Sequence, residues 1–393
     1  MELNYTYPWK SKKIFDFVLE KCSGVAINPS EFKSSGFLVA HKGDVSYSGY
    51  LDLSVRPSRF VEIECAQKNK NSVVDDSWLI VSLRDLVPSA PQLGIINSLR
   101  ANSKVLLAQG TFGIRLDKFQ VDPKYIVYQS ISTQYRKAMS GSAVGSTQKH
   151  LRSTEFLQVR IPLPPKKEQE AIANALSDAD AYIESLEKLI AKKRLIKKGA
   201  VQELLSGKRR LSGFSKSWSE ENIENVCEVT TGSKNTQDRI EDGDYPFFVR
   251  SQTIERINTY SFDGEAVLTA GDGVGTGKVF HYIMGKFDVH QRVYRMSNFS
   301  EDVDGYYFFL FFSENFYDRI MQMTAKSSVD SVRREMITEM KIKFPEIREQ
   351  KAIAQALRDL DQDLKVFEAK LQKARLLKQG MMQELLTGRI RLV

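Results

Sequence analysis

The sequence predicts an α+β protein. Two globular mixed α/β domains alternate with two long helices that fold back on each other as an intramolecular antiparallel coiled coil, giving a pseudo-twofold molecule. Three observations predict this: a gapless internal repeat, a heptad pattern inside each copy, and β-rich composition between the copies. At 393 residues the chain exceeds one ordinary domain. Its 42% hydrophobic and 27% charged residues are the proportions of a globular protein able to build sizeable cores.

The repeat runs from Glu168-Gln169 to Arg210-Leu211 and again from Glu349-Gln350 to Arg391-Leu392, a constant shift of 181 residues. Fainter matches lie upstream, where Ser327, Arg333, Ile342 and Pro345 fall opposite Ser146, Arg152, Ile161 and Pro164. Each copy begins just after proline, where a helix tolerates it. Apolar residues then recur at alternating spacings of three and four. Leu176, Ile183, Leu186 and Ile190 form the first seam, and Leu357, Leu360, Leu364, Phe367 and Leu371 the second. Gly199 and Gly380 are expected to interrupt the pattern before a short QELL turn that stops at Gly207 or Gly388. A helix of roughly thirty residues at ~1.5 Å each is about 45 Å long. Both copies carry acids early (Asp178, Asp180, Glu184, Glu187; Asp359, Asp361, Asp363) and bases late (Lys192, Lys193, Arg194, Lys197; Lys370, Lys373, Arg375, Lys378). Antiparallel pairing of the seams sets each basic end beside the other's acidic start.

The intervening segments are rich in aromatic and β-branched residues, with candidate strands at Phe37-Leu38-Val39, Trp78-Leu79-Ile80-Val81, Val105-Leu106-Leu107 and Val293-Tyr294. The apolar run Tyr306 to Phe312 is too short to span a membrane and reads as core. Both segments open with a Trp followed five residues later by Ile, Trp9 with Ile14 and Trp218 with Ile223. The order is globule, helix, globule, helix. A rod with a globule at each end suits a roughly twofold target with two contact zones, and duplex DNA repeats every ~34 Å. Charge is uneven. Residues 1–165 hold 21 basic against 14 acidic side chains, whereas residues 212–345 hold 15 against 21. The acidic second globule sits badly with DNA binding unless its cations gather on one face or the backbone contacts come from elsewhere.

Catalytic motifs fail on inspection. Gly271 to Lys278 resembles a phosphate loop, but Asp272 stands where glycine is needed and Val279 replaces the required Ser or Thr. A glycine-rich surface turn is expected instead. Asp122-Pro123-Lys124-Tyr125 approaches a methyltransferase motif that Lys124 breaks. His41, His150, His281 and His290 show no metal spacing. Cys22, Cys65 and Cys227 are scattered and odd in number, suiting a reducing compartment. Met1-Glu2-Leu3-Asn4 lacks the charged and apolar regions of a signal peptide, so a cytoplasmic protein is expected.

Proline followed by EQxAIAxAL, a heptad helix, then QELLxG closing on basic residues resembles the conserved regions of type I restriction-modification specificity subunits. Gly145 to Pro165 and Ser328 to Pro345 resemble the strand that ends each target recognition domain of that family. The resemblance spans the chain and implies target recognition domains at 1–163 and 212–344, with conserved helical regions at 164–211 and 345–393. It further implies a bipartite, asymmetric DNA target and a non-catalytic role. Two modification subunits, carrying S-adenosylmethionine, and restriction subunits using ATP and magnesium would join this prokaryotic complex, which needs no membrane. No cofactor is expected in this chain.

Base reading needs Arg, Lys, Asn, Gln, Ser or Thr on exposed loops. In the first globule the candidates are Gln109, Thr111, Arg115, Ser146, Thr147, Gln148 and Lys149. In the second they are Arg250, Ser251, Gln252, Lys278, Gln291, Arg292, Ser327, Ser328 and Arg333.

Overall fold

The computed structural model describes residues 9–54, 59–145, 148–323 and 331–392. The chain packs as two compact units, Met1–Glu187 with Lys370–Val393, and Lys188–Ala369. Each unit holds a mixed α/β body and part of each of two long helices, Lys166–Leu205 and Ile347–Leu385.

In the first unit, one antiparallel sheet has the order Val18–Ser23, Thr111–Leu116, Leu79–Ser82, Ile96–Ser98. A second sheet has the order Phe60–Val61, Phe37–Ala40, Lys104–Leu107, Val73–Asp75, and its two central strands are parallel. The second unit carries a six-stranded sheet, Glu228–Thr231, Val293–Ser297, Phe262–Ala270, Phe280–Val289, Tyr245–Phe248, Ile254–Ile257. Here Tyr245–Phe248 runs parallel to Phe280–Val289. The candidate strands fall within these elements, except that Trp78 precedes its strand. The aromatic run lies in helix Gly305–Met323, where Phe308, Phe312 and Phe316 are fully buried and stack at four-residue spacing.

The Trp-to-Ile openings close each body in the same way. Strand Ser11–Lys13 pairs with Arg160–Pro162, and Ser219–Asn222 with Lys341–Phe344. Ile14 and Ile223 follow at zero exposure, each donating its N–H back to the closing segment, at Val159 O and Met340 O.

The long helices run 40 and 39 residues, or about 60 Å at ~1.5 Å per residue, longer than the seams alone suggest. They pass unbroken through Gly199 and Gly380, contrary to the expected interruption. A Cβ at either glycine would meet nothing within 4 Å, so neither marks a bend or a close approach. The true stops are Gly207 and Gly388, left-handed at φ +71° and +73°. Along the seams Leu176, Leu186, Ile190, Leu357 and Leu364 are buried, while Ile183, Leu360, Phe367 and Leu371 are half-buried. In the first unit Asp180 pairs with Lys378, and Glu187 with Arg375 at 2.6 Å. In the second, Asp363 pairs with Lys193 at 2.8 Å, Glu368 with Arg194 at 2.6 Å, and Asp361 with Lys197. These inter-helix contacts are those of a connecting coiled coil.

The Glu-Gln pair that opens each repeat locks helix to body identically in both units. Gln169 Oε1 accepts from Asp122 N at 2.9 Å, and its Nε2 donates to Pro164 O at 2.9 Å. Gln350 Oε1 accepts from Asp304 N at 2.9 Å, and its Nε2 donates to Pro345 O at 2.8 Å. Asp122 and Asp304 in turn cap short and long helices by accepting from Tyr125 N and Tyr307 N, each at 2.9 Å. The near-methyltransferase tetrapeptide is thus a helix cap. Fully buried Glu168 is held by Arg391, and fully buried Glu349 by both nitrogens of an Arg210 fork at 2.5 Å.

Candidate nucleic-acid interface

Both units build one backbone frame at the end of their parallel strand pair. In the first unit, Ala108 N donates to Ala40 O, Thr111 N to Ala108 O, Leu83 N to Gly110 O and Leu151 N to Leu83 O, all at 2.8–3.1 Å. In the second, His290 N donates to Phe248 O, Val293 N to His290 O, Gly271 N to Arg292 O and Val332 N to Gly271 O, at 2.7–2.9 Å. These bonds make turn 108–110 equivalent to turn 290–292. They also make Lys42 the positional equivalent of Arg250, Arg84 of Asp272, Gln109 of Gln291, Gly110 of Arg292, and Arg152 of Arg333.

The side chains on this shared frame differ. In the second unit Asp272 is 14% exposed and accepts from Arg250 Nη1 at 2.8 Å and Arg292 Nη1 at 2.5 Å. Burial works against its ionisation, but the hydrogen bonds and the positive charges of Arg250 and Arg292 together outweigh it and hold the carboxyl below the usual value. Beside it His290 is buried, and its Nδ1 accepts from Arg292 N at 3.0 Å. Burial, then the neighbouring Arg250 charge, lowers its pKa. His281, 3.1 Å from Ser251 O through Nε2, is likewise lowered by burial. Gln291 donates its amide to Asn235 Oδ1 at 2.5 Å.

In the first unit the equivalent place is a recess of about 240 Å³ lined by Arg84, Gly110, Thr111, His150 and Arg152. Gly110 has φ +95°, and a Cβ there would lie 3.1 Å from Lys42 Cδ and 3.4 Å from Arg84 Cβ. Glycine therefore leaves room for two cationic stems where the second unit places Arg292. Cations thus cluster on the frame in both units, including the one whose globule, residues 212–345, is acidic. Among the described residues, no group of three or more His, Cys, Asp or Glu side chains is set to hold a metal ion.

The family model of the type I restriction modification DNA specificity domain matches this sequence twice, over residues 8–193 and 215–374. The chain belongs to this family. It is 26% identical over 279 residues to the type I restriction enzyme MjaVIII specificity subunit of Methanocaldococcus jannaschii, covering 62% of this chain and 64% of that protein. It is 27% identical over 156 residues to the EcoDI specificity subunit of Escherichia coli, covering 40% of this chain and 34% of that protein. The matches thus span less than two thirds of each of these relatives. In fold it is similar to the crystal structure of a type I restriction-modification S subunit from M. genitalium, with a TM-score of 0.61 at 15% identity over 98% of both chains.

Within this specificity-domain chain the candidate residues scatter unequally. Arg250, Gln291, Arg292 and Arg333 sit on the shared frame, and Ser251 and Gln252 follow Arg250 on an exposed turn. Lys278 lies 5.9 Å from the Tyr317 ring centre. It ends the glycine-rich loop, which joins two strands rather than opening a helix and leaves Val274 fully exposed. Gln109 is exposed at the first turn, but Thr111 is buried with its hydroxyl on Ala108 O at 2.6 Å and offers no reading group. Arg115 pairs with Glu20 four residues along the strand, roughly 13 Å from Thr111 at the usual rise. Gln148 is exposed, and Lys149 pairs with Asp85 in a short ladder. Ser146, Thr147, Ser327 and Ser328 lie outside the described residues. Lys42, Arg84 and Arg152 were not singled out from the sequence. Only Arg152 carried a signal, its alignment with Arg333.

A second feature repeats between the two long helices. Leu195 and Ile196 are 72% and 50% exposed on the first helix, and Leu376 and Leu377 are 59% and 63% exposed at the equivalent place on the second.

Proposed function

We propose that this chain is the DNA sequence-specificity subunit of a type I restriction-modification complex, without catalytic chemistry of its own. It reads a bipartite, asymmetric target through recognition domains at 1–163 and 212–344. The observation that carries this is the duplicated frame: one backbone arrangement, present twice, with unlike cationic side chains on each. A common frame supports docking on one kind of ligand, and unlike side chains support two different half-sites.

The helical regions, 164–211 and 345–393, form an antiparallel coiled coil with a pseudo-twofold axis. Glu168, Asp180 and Glu187 meet Arg391, Lys378 and Arg375 in the first unit, and Lys193, Lys197 and Arg210 meet Asp363, Asp361 and Glu349 in the second, an order that supports that direction. Such a rod fixes the unread spacer between half-sites. Two modification subunits holding S-adenosylmethionine bind the helices, and restriction subunits using ATP and magnesium complete the complex on double-stranded DNA. Mapping methylated adenines in cells expressing the chain with its partner subunits tests the reading. A split motif is expected, and exchanging residues 212–344 for those of a relative should change one half only. An unsplit motif, or a change in both halves, overturns it.

A further inference from the structure

We propose that Asp272 is a positioning residue that aims Arg250 and Arg292 at a guanine in the half-site read by the second unit. This rests on the reading of the chain as a DNA-specificity subunit. The carboxylate lies low in the frame at 14% exposure, while the two guanidinium groups stand at its rim at 44% and 62%. Each commits one terminal nitrogen, Nη1, to Asp272. Among the described residues nothing else engages their Nε and Nη2 groups, which are free to meet a ligand. An arginine fork is the side chain that reads guanine through O6 and N7 in the major groove.

The backbone beneath is equally fixed. Arg292 N donates to His290 Nδ1, and Arg292 O accepts from Gly271 N at 2.8 Å. Asp272 itself bridges Ser331. Two cations against one anion leave a modest positive surplus. That suits the two neutral acceptors of a guanine edge better than a phosphate, whose full charge would compete with Asp272 for both arginines. In the first unit the acid is replaced by Arg84 and the second arginine by Gly110, so this device belongs to the second half-site alone.

The test uses the full chain assembled with its modification subunits, selecting from a random-sequence DNA duplex pool. Wild type should enrich a split motif with guanine in the half read by residues 212–344. Asp272→Asn should lower the preference for that guanine by roughly tenfold or more, leaving the other half and the salt dependence unchanged. Asp272→Glu should restore part of it, and Arg250→Gln or Arg292→Gln should lose the same position. Arg84→Gln should leave that guanine untouched. The unaltered half reports that each variant is folded and bound. An unchanged motif in Asp272→Asn and both arginine variants overturns the proposal. So does a uniform loss of affinity with a shallower salt slope, the signature of a phosphate contact. A wild-type complex that selects no split motif overturns the DNA-specificity reading, and this inference with it.

Discussion

Arg210 and Arg391 neutralise carboxylates that have no exposed surface, Glu349 and Glu168. Removing the arginine leaves a buried anion, which costs far more than the pair contributes. Arg210→Ala should destabilise the second unit by about 3 kcal/mol, and Arg391→Ala the first by a similar amount. Glu349→Gln should cost less, because it leaves only a partly exposed cation. Denaturant titration followed by hydrogen exchange in each unit checks this, and equal effects of Arg210→Ala in both units would contradict it. The histidines of the second frame give a pH dependence. Burial holds His281 and His290 below the ordinary value near 6.5, so the unfolded chain takes up protons first as pH falls. Their contribution is complete above about pH 6.5 and is lost as pH drops from there through the lowered folded-state values. The melting temperature should fall between about pH 7 and about pH 5, and less steeply in a His281→Gln, His290→Gln double variant. Identical slopes in the two proteins would refute the assignment.

At the scale of elements, the long helices were legible because a heptad seam and a proline start leave direct marks in the chain. Their length was not, since a glycine reads as a break whether or not the helix needs one. Gly199 and Gly380 show the difference: each has open space where a Cβ would go. Gly199→Ala and Gly380→Ala should therefore each stabilise the protein by about 0.5–1 kcal/mol, through helix propensity alone. A loss of stability on thermal unfolding would mean that these glycines serve a packing role. The shared frame was hidden for a different reason. It is defined by backbone hydrogen bonds, to which Ala108 and His290, or Gly110 and Arg292, contribute equally well. Sequence comparison sees side chains, and those are what differ between the two units. Candidates chosen as polar residues near turns thus found Arg250, Gln291 and Arg292, included the buried Thr111, and passed over Lys42 and Arg84. The Asp122 tetrapeptide illustrates the same limit, for its resemblance to a catalytic motif comes from the Asp and Tyr that an N-cap and a buried ring require.

For the molecule as a whole, the proposed assembly with modification subunits has a candidate docking face in the duplicated apolar pairs. Leu195, Ile196, Leu376 and Leu377 are all half-exposed or more, although Ile190 and Ala374 nearby on the same helices are buried. Scattered exposed leucines need no explanation, but an adjacent apolar pair at the same place in both copies, flanked by lysine and arginine, does. If each pair is covered by one modification subunit, the two sites are equivalent and separable. Leu376→Glu with Leu377→Glu should reduce the complex from two modification subunits per chain to one, weakening that site roughly 100-fold, since burying each leucine is worth about 1.5–3 kcal/mol. Adding Leu195→Glu and Ile196→Glu should remove the second. Because these side chains already face solvent, circular dichroism and melting of the chain alone should stay unchanged. Mass measurement of the assembled complex decides the matter: two modification subunits retained on the fourfold variant would place the docking face elsewhere on the helices.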